Sequence, residues 1–190
     1  SNWEEWGDIL KTGNKEGKEQ SKMSEEYVKA LNGTKKALSN VLDVSEEFID
    51  TDFVTTAENL ELIGKAAEGD AEAIDELGRK LAEDIAINAI EISDKFTLDE
   101  KDAKIAEVQG LMDEINNLMS GENGPKLNLG DSISGENELF QKLQNVVAAS
   151  AMTAEQANAF YRSMGFTPQF KMIDAVQAET VPITTTYHDR

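Results

Sequence analysis

The sequence predicts a mainly α protein: a helical bundle of four to five helices followed by a small α+β unit with a C-terminal β-hairpin. Three observations carry this. Apolar residues recur at three- and four-residue spacing over long segments between 24 and 150. Two capping boxes, Thr97-Leu98-Asp99-Glu100 and Thr153-Ala154-Glu155-Gln156, mark helix starts. Toward the C-terminus the helical period gives way to Thr- and Val-rich stretches of strand character.

Residues 1–22 open with Trp3 and Trp6, one face of a short helix ending near Leu10. The stretch Lys11 to Lys22 is devoid of large apolar residues and reads as a solvated linker. The two Trp residues are expected to anchor this helix on the bundle or on parent sequence beyond the chain. The first long helix spans about Ser24 to Leu42, with Tyr27, Leu31, Thr34, Leu38 and Val41 inward. Gly33 should weaken it by about 1 kcal/mol relative to Ala. A short helical turn follows at Ser45–Ile49. A second long helix is expected from near Asp52, with Phe53, Ala57, Leu60, Gly64 and Ala67 as its seam.

Glu68-Gly69-Asp70 ends that helix and starts the next, because Gly suits the left-handed position after a helix and Asp suits an N-cap. The third helix runs from Ala71 to about Ile92, with Ile74, Leu77, Leu81, Ile85, Asn88 and Ile92 on one face. Its end is apolar on more than one side, which predicts the most buried segment of the chain. Thr97 caps a fourth helix reaching Met119, striped by Ile105, Val108, Met112, Ile115 and Met119 and widened by Leu111 and Leu118. The glycines between Ser120 and Gly135 make a loop, in which Leu127 and Leu129 alternate as in a short strand.

A fifth helix, about Glu136 to Ser150, buries Leu139, Phe140, Leu143, Val146 and Val147. Thr153 caps a shorter one that faces Ala157, Phe160, Tyr161 and Met164 inward and stops at Gly165. Strands are expected at Thr167–Ile173 and Glu179–Tyr187. The domain reading is therefore 1–22 as N-terminal helix and linker, 23–150 as acidic helical bundle, and 151–190 as a helix–strand–strand unit.

The 190 residues carry 18 Lys+Arg against 37 Asp+Glu, a formal charge of −19, with one His and no Cys. Such a chain is poorly suited to nucleic acid, whose recognition is mainly electrostatic, or to anionic lipid. No apolar run approaches the roughly 20 residues of a membrane span. Residues 23–119 hold 24 acidic and 9 basic side chains, whereas 131–190 hold 7 and 4. The acidity thus belongs to the helical part.

No glycine-rich phosphate loop follows a strand, and no Gly-x-Ser-x-Gly elbow occurs. A His-dependent triad has only His188, two residues from the end, where chains fray. An EF-hand starting at Asp50-Thr51-Asp52 would need an oxygen ligand and then Gly at its fifth and sixth places, where Val54 and Thr55 stand. Asp99, Glu100 and Asp102 cluster in a helix first turn, where carboxylates complement the macrodipole. An all-carboxylate metal site and DNA mimicry are both open to an acidic helical protein; the default is a solvated acidic face. The sequence puts forward no catalytic, cofactor-binding or metal-ligating residue, and no cofactor.

Two stretches carry a resemblance. Met152-Thr153-Ala154-Glu155-Gln156-Ala157 followed by Met164-Gly165-Phe166-Thr167-Pro168-Gln169-Phe170, and Ala57-Glu58-Asn59-Leu60 through Ala66-Ala67-Glu68-Gly69-Asp70-Ala71-Glu72-Ala73-Ile74, cover about a third of the chain. They resemble segments of phage tail tape-measure proteins and related prophage tail proteins. Thr-x-Glu-Gln before a Gly-capped helix also occurs in helix–strand repeat modules of bacterial surface proteins. The tape-measure resemblance implies a non-enzymatic structural segment, cut from a longer chain, located in a virion tail or in the bacterial cytoplasm during assembly. Its partners would be proteins, either self or other tail components, with no nucleic acid and no membrane. It implies no catalytic residues. The other reading is an acidic helical protein–protein interaction module of a bacterial protein, drawn to a basic partner.

Overall fold

The computed structural model describes residues 2–15, 25–120 and 138–168. Among these the chain is mainly helical and contains no strand. Eight α-helices follow one another among the described residues: α1 Asn2–Lys15, α2 Glu25–Leu42, α3 Thr51–Thr55, α4 Ala57–Ala67, α5 Ala71–Ile92, α6 Leu98–Ser120, α7 Glu138–Ser150 and α8 Ala154–Ser163. A turn of 3-10 helix at Glu46–Phe48 precedes α3, where a short helical turn was expected. The strand expected at Glu179–Tyr187, nearly all of that at Thr167–Ile173, and the loop with Leu127 and Leu129 lie outside the described residues. Thr167 and Pro168, which are described, have no regular structure.

The chain forms two compact units, Ser1–Leu81 and Ala82–Arg190. This division falls inside α5 and differs from the expected boundaries near 22 and 150. In the first unit α1 packs on α2, α3 and α4, so the N-terminal helix belongs to a core rather than to an appendage. Leu10, Leu38, Ile49, Leu60 and Ile63 are fully buried there. The helix also extends to Lys15, beyond the face that was expected to end near Leu10. In the second unit α6 packs on α7. Val108, Met112, Ile115, Leu143, Val146 and Phe160 are fully buried in it.

The expected single helix from Asp52 to Ala67 is two helices, broken at Thr56, whose backbone is extended at φ −62° and ψ 134°. Hydroxyls explain the break. Thr55 Oγ1 donates to the Thr51 carbonyl at 3.0 Å, and Thr56 Oγ1 to the Asp52 carbonyl at 2.7 Å. Such local bonds compete with helix continuation. The buried Asn59 side chain donates to the Phe53 carbonyl at 2.8 Å, occupying an acceptor that the break releases. The seam changes with it: Phe53, Val54, Leu60, Leu62, Ile63 and Ala66 are buried, while Ala57 is exposed.

Helix ends are set by short-range chemistry. Asp70 accepts from the Glu72 and Ala73 amides at 3.0 and 3.3 Å, capping α5. Gly69 takes φ +96°, and the Asp70 amide returns to the Lys65 carbonyl at 3.1 Å. Thr97 and Glu100 complete the first capping box reciprocally at 2.8 and 3.2 Å, and Thr153 and Gln156 the second at 2.8 and 3.1 Å. The same left-handed ending recurs without glycine at Asp43 (φ 57°) and Ala151 (φ 54°). In both, an apolar residue follows and is buried, Val44 and Met152. Their amides donate to Ser39 and Val147 carbonyls at 3.1 and 3.3 Å.

Ala151 is the position where this conformation costs most, since an L-residue with a plain methyl gains no local hydrogen bond in return. Ala151→Gly is therefore expected to raise stability by about 0.5–1 kcal/mol, the relief of left-handed strain less the entropy of a glycine in the unfolded chain. Urea unfolding followed by circular dichroism checks it; a lowered midpoint would refute the strain.

Candidate interaction surface

Two of the carboxylates considered as metal ligands, Asp50 and Glu100, cap helices. Asp50 accepts from the Phe53 amide at 3.0 Å and caps α3. Glu100 closes a capping box. Asp99 and Asp102 stand exposed at the start of α6. Among the described residues, no group of three or more His, Asp or Glu side chains is arranged to hold a metal ion. His188 lies outside the described residues. No described helix is long and apolar enough to cross a membrane.

Surface pairs in each unit are held by lysines. In the first unit Lys80 reaches Glu58 at 2.9 Å, and Lys35 donates to Thr51 Oγ1 at 3.1 Å. In the second, Lys142 donates to Glu114 at 2.6 Å, and this hydrogen bond holds its ammonium above the ordinary lysine range. Exposed pairs of this kind contribute little to stability.

The two Trp residues are half-buried on α1. Trp6 lies against α2 at Gly33: a Cβ placed on Gly33 would stand 2.6–2.7 Å from its ring atoms. The anchor is therefore α2. In the sequence Gly33 is only a weak point of the helix, and nothing there signals this contact, because the partners lie on different elements.

Tyr161 is the largest fully buried side chain among the described residues, set edge-on to Phe160 with ring centroids 5.6 Å apart. Among the described residues its hydroxyl has no hydrogen-bond partner. An orphaned buried hydroxyl costs stability. Tyr161→Phe should thus stabilise by about 1 kcal/mol at neutral pH. Burial also pushes the phenol well above its ordinary pKa of 10.0. Below pH 10 both states keep the proton. Above it the unfolded chain releases the proton and the folded chain retains it, so stability falls as pH rises. The advantage of Tyr161→Phe should widen between pH 9 and pH 11 in urea titrations; a loss of stability at pH 7 would show that the hydroxyl is satisfied.

Among the described residues the most exposed large apolar side chains sit at the turn from α5 to α6. Ile92 is 73 % exposed and Leu98 80 %, against 40 % for Val28 and 42 % for Val41 on α2. This corrects the expected seam of α5. Its buried face is Ala73, Leu77, Leu81, Ile85 and Ala89, joined by Ala82, Ala86 and Ile90, and Ile92 falls off it. Asn88 is half-buried. Likewise α2 ends its stripe on Leu42, not Val41.

Around these two residues the charges are sorted. Glu91, Asp94, Asp99, Glu100 and Asp102 are all exposed. Of the nearby lysines, Lys101 is folded onto the end of α5, its Nζ donating to the Glu91 carbonyl at 2.7 Å. Lys104 lies 5.8 Å from the centre of the Phe96 ring and 3.6 Å from Glu107. Both are half-buried, leaving Lys95 as the exposed ammonium between residues 91 and 104. The turn is pinned by its own cations and shows outward an apolar pair within a surplus of carboxylates.

Compared with family models, with curated proteins and with solved structures, the chain matches none of them.

Proposed function

We propose that the chain is a non-enzymatic structural segment of a phage or prophage tail protein, of the tape-measure kind, which works by contact with other proteins. The observation that carries it is the employment of its polar side chains. Asp50, Asp70, Thr97, Glu100, Thr153 and Gln156 terminate helices, and Lys80, Lys101 and Lys142 tie elements of the fold together. A helical protein built in this way offers surface and spacing. The tail context rests on the resemblance of Met152–Ala157, Met164–Phe170 and Ala57–Ile74. On this reading the chain resides in the virion tail, or in the bacterial cytoplasm during assembly.

A second reading, an acidic helical interaction module of a bacterial protein, is favoured by the apolar and acidic turn at Ile92–Leu98. The coding DNA separates the two. A much longer reading frame rich in helical heptads, flanked by frames for other tail components, supports the tail segment. A frame of about this length, standing apart from such genes, overturns it and leaves the interaction module.

A further inference from the structure

We infer that the turn between α5 and α6 is a docking tip for a basic amphipathic segment of another protein, seated on Ile92 and Leu98. This deepens the protein-binding reading above and rests on it.

The side chains choose the occupant. An Ile and a Leu left 73 % and 80 % exposed flank one five-residue turn, whereas exposed apolar residues are ordinarily scattered singly. Neither supports the fold by burial, because the buried stripe of α5 passes through Ile90 and that of α6 through Val108 and Met112. The turn is held in shape independently of them, by the Lys101–Glu91 bond and the Thr97–Glu100 capping box. The tip is thus preorganised, which lowers the ordering cost of binding.

Charge complementarity then selects among partners. Between residues 91 and 104 the carboxylates Glu91, Asp94, Asp99, Glu100 and Asp102 outnumber the ammonium groups of Lys95, Lys101 and Lys104, and Lys101 and Lys104 are half-buried while all five carboxylates are exposed. A second copy would bring the same carboxylates to the same place, and like charges brought together are repulsive. An anionic lipid surface meets the same objection. A helix with apolar residues on one face and Lys or Arg beside them satisfies both parts: it covers Ile92 and Leu98 and neutralises these carboxylates.

The test uses a fluorescein-labelled synthetic peptide with Leu at helical spacing and Lys elsewhere, read by anisotropy against the full chain. A control peptide carries Gln for every Leu at the same charge. The Leu peptide is expected to bind at least tenfold more tightly than the Gln peptide, and less tightly as salt is raised. The double variant Ile92→Ser/Leu98→Ser, which leaves net charge unchanged, should lose at least tenfold in affinity for the Leu peptide. Val28→Ser/Val41→Ser should lose less than twofold. Both variants alter exposed positions, and unchanged melting curves verify their fold. Equal binding of the Leu peptide by wild type and the Ile92/Leu98 variant overturns the tip, as does equal binding of the two peptides. A dimer in sedimentation that the double variant abolishes also overturns it, in favour of self-association. Each of these outcomes concerns the tip alone; the choice between tail segment and interaction module is decided separately, by the coding context.

Discussion

Leu81→Asp is expected to abolish cooperative folding, while Ile92→Ser on the same helix leaves the melting curve within about 0.5 kcal/mol of the parent. Both positions belong to one apolar series in the sequence, yet Leu81 is fully buried and Ile92 is 73 % exposed. Losing Leu81 forfeits about 1.5–3 kcal/mol of apolar burial. The carboxylate adds the larger cost, because a charge without a partner in an apolar interior must either remain desolvated or be neutralised. Together these approach the total stability of an ordinary domain, about 5–15 kcal/mol. Far-UV circular dichroism during heating checks it. A cooperative transition retained by Leu81→Asp, or a loss of similar size in Ile92→Ser, would refute the assignment of the buried face of α5.

That pair of residues shows where the sequence stops being sufficient. The ends of helices were legible because capping is local. Asp70, Thr97 and Thr153 find their partners two or three residues away, so the spacing on the page is the spacing in space. The inward faces of α7 and α8 were also legible, since Leu143, Val146 and Val147, then Phe160 and Tyr161 are buried as expected, and so was the middle of the α6 stripe at Val108, Met112 and Ile115, whose outer members Ile105 and Met119 are half-buried. Two errors of phase lie in a last helical turn, at Val41 and Ile92, where periodicity continues in sequence after the buried stripe has ended, and a third, at Ala57, follows the break at Thr56. The break at Thr56 escaped notice because it depends on which way two threonine hydroxyls bond. The left-handed residues Asp43 and Ala151 escaped because no glycine marked them. The proposed docking tip was illegible for a related reason: Ile92 continues the apolar series of α5 in the sequence, and Leu98 shows there only as part of a capping box.

Gly33→Ala is expected to destabilise, against its helix propensity. In a solvated helix, alanine in place of glycine gains about 1 kcal/mol. Here the added methyl would stand 2.6–2.7 Å from three atoms of the Trp6 ring, well inside contact distance. An indole has no flexible end to swing aside, so α1 must shift from α2 or Trp6 must leave its rotamer. Overpacking of this kind costs about 1–3 kcal/mol, which cancels the gain in propensity and leaves a net loss of up to about 2 kcal/mol. The double-mutant cycle with Trp6→Ala makes the argument decisive. Trp6→Ala alone lowers stability by removing the packing between α1 and α2. On that background the three atoms nearest the methyl are gone, and Gly33→Ala should turn stabilising by about 1 kcal/mol. Chemical unfolding of the four proteins measures both signs. If Gly33→Ala has the same sign with and without the Trp6 ring, the glycine is there for a reason other than the approach of α1. If the sign reverses, the residue that looked like a defect in α2 is the seat of the N-terminal helix.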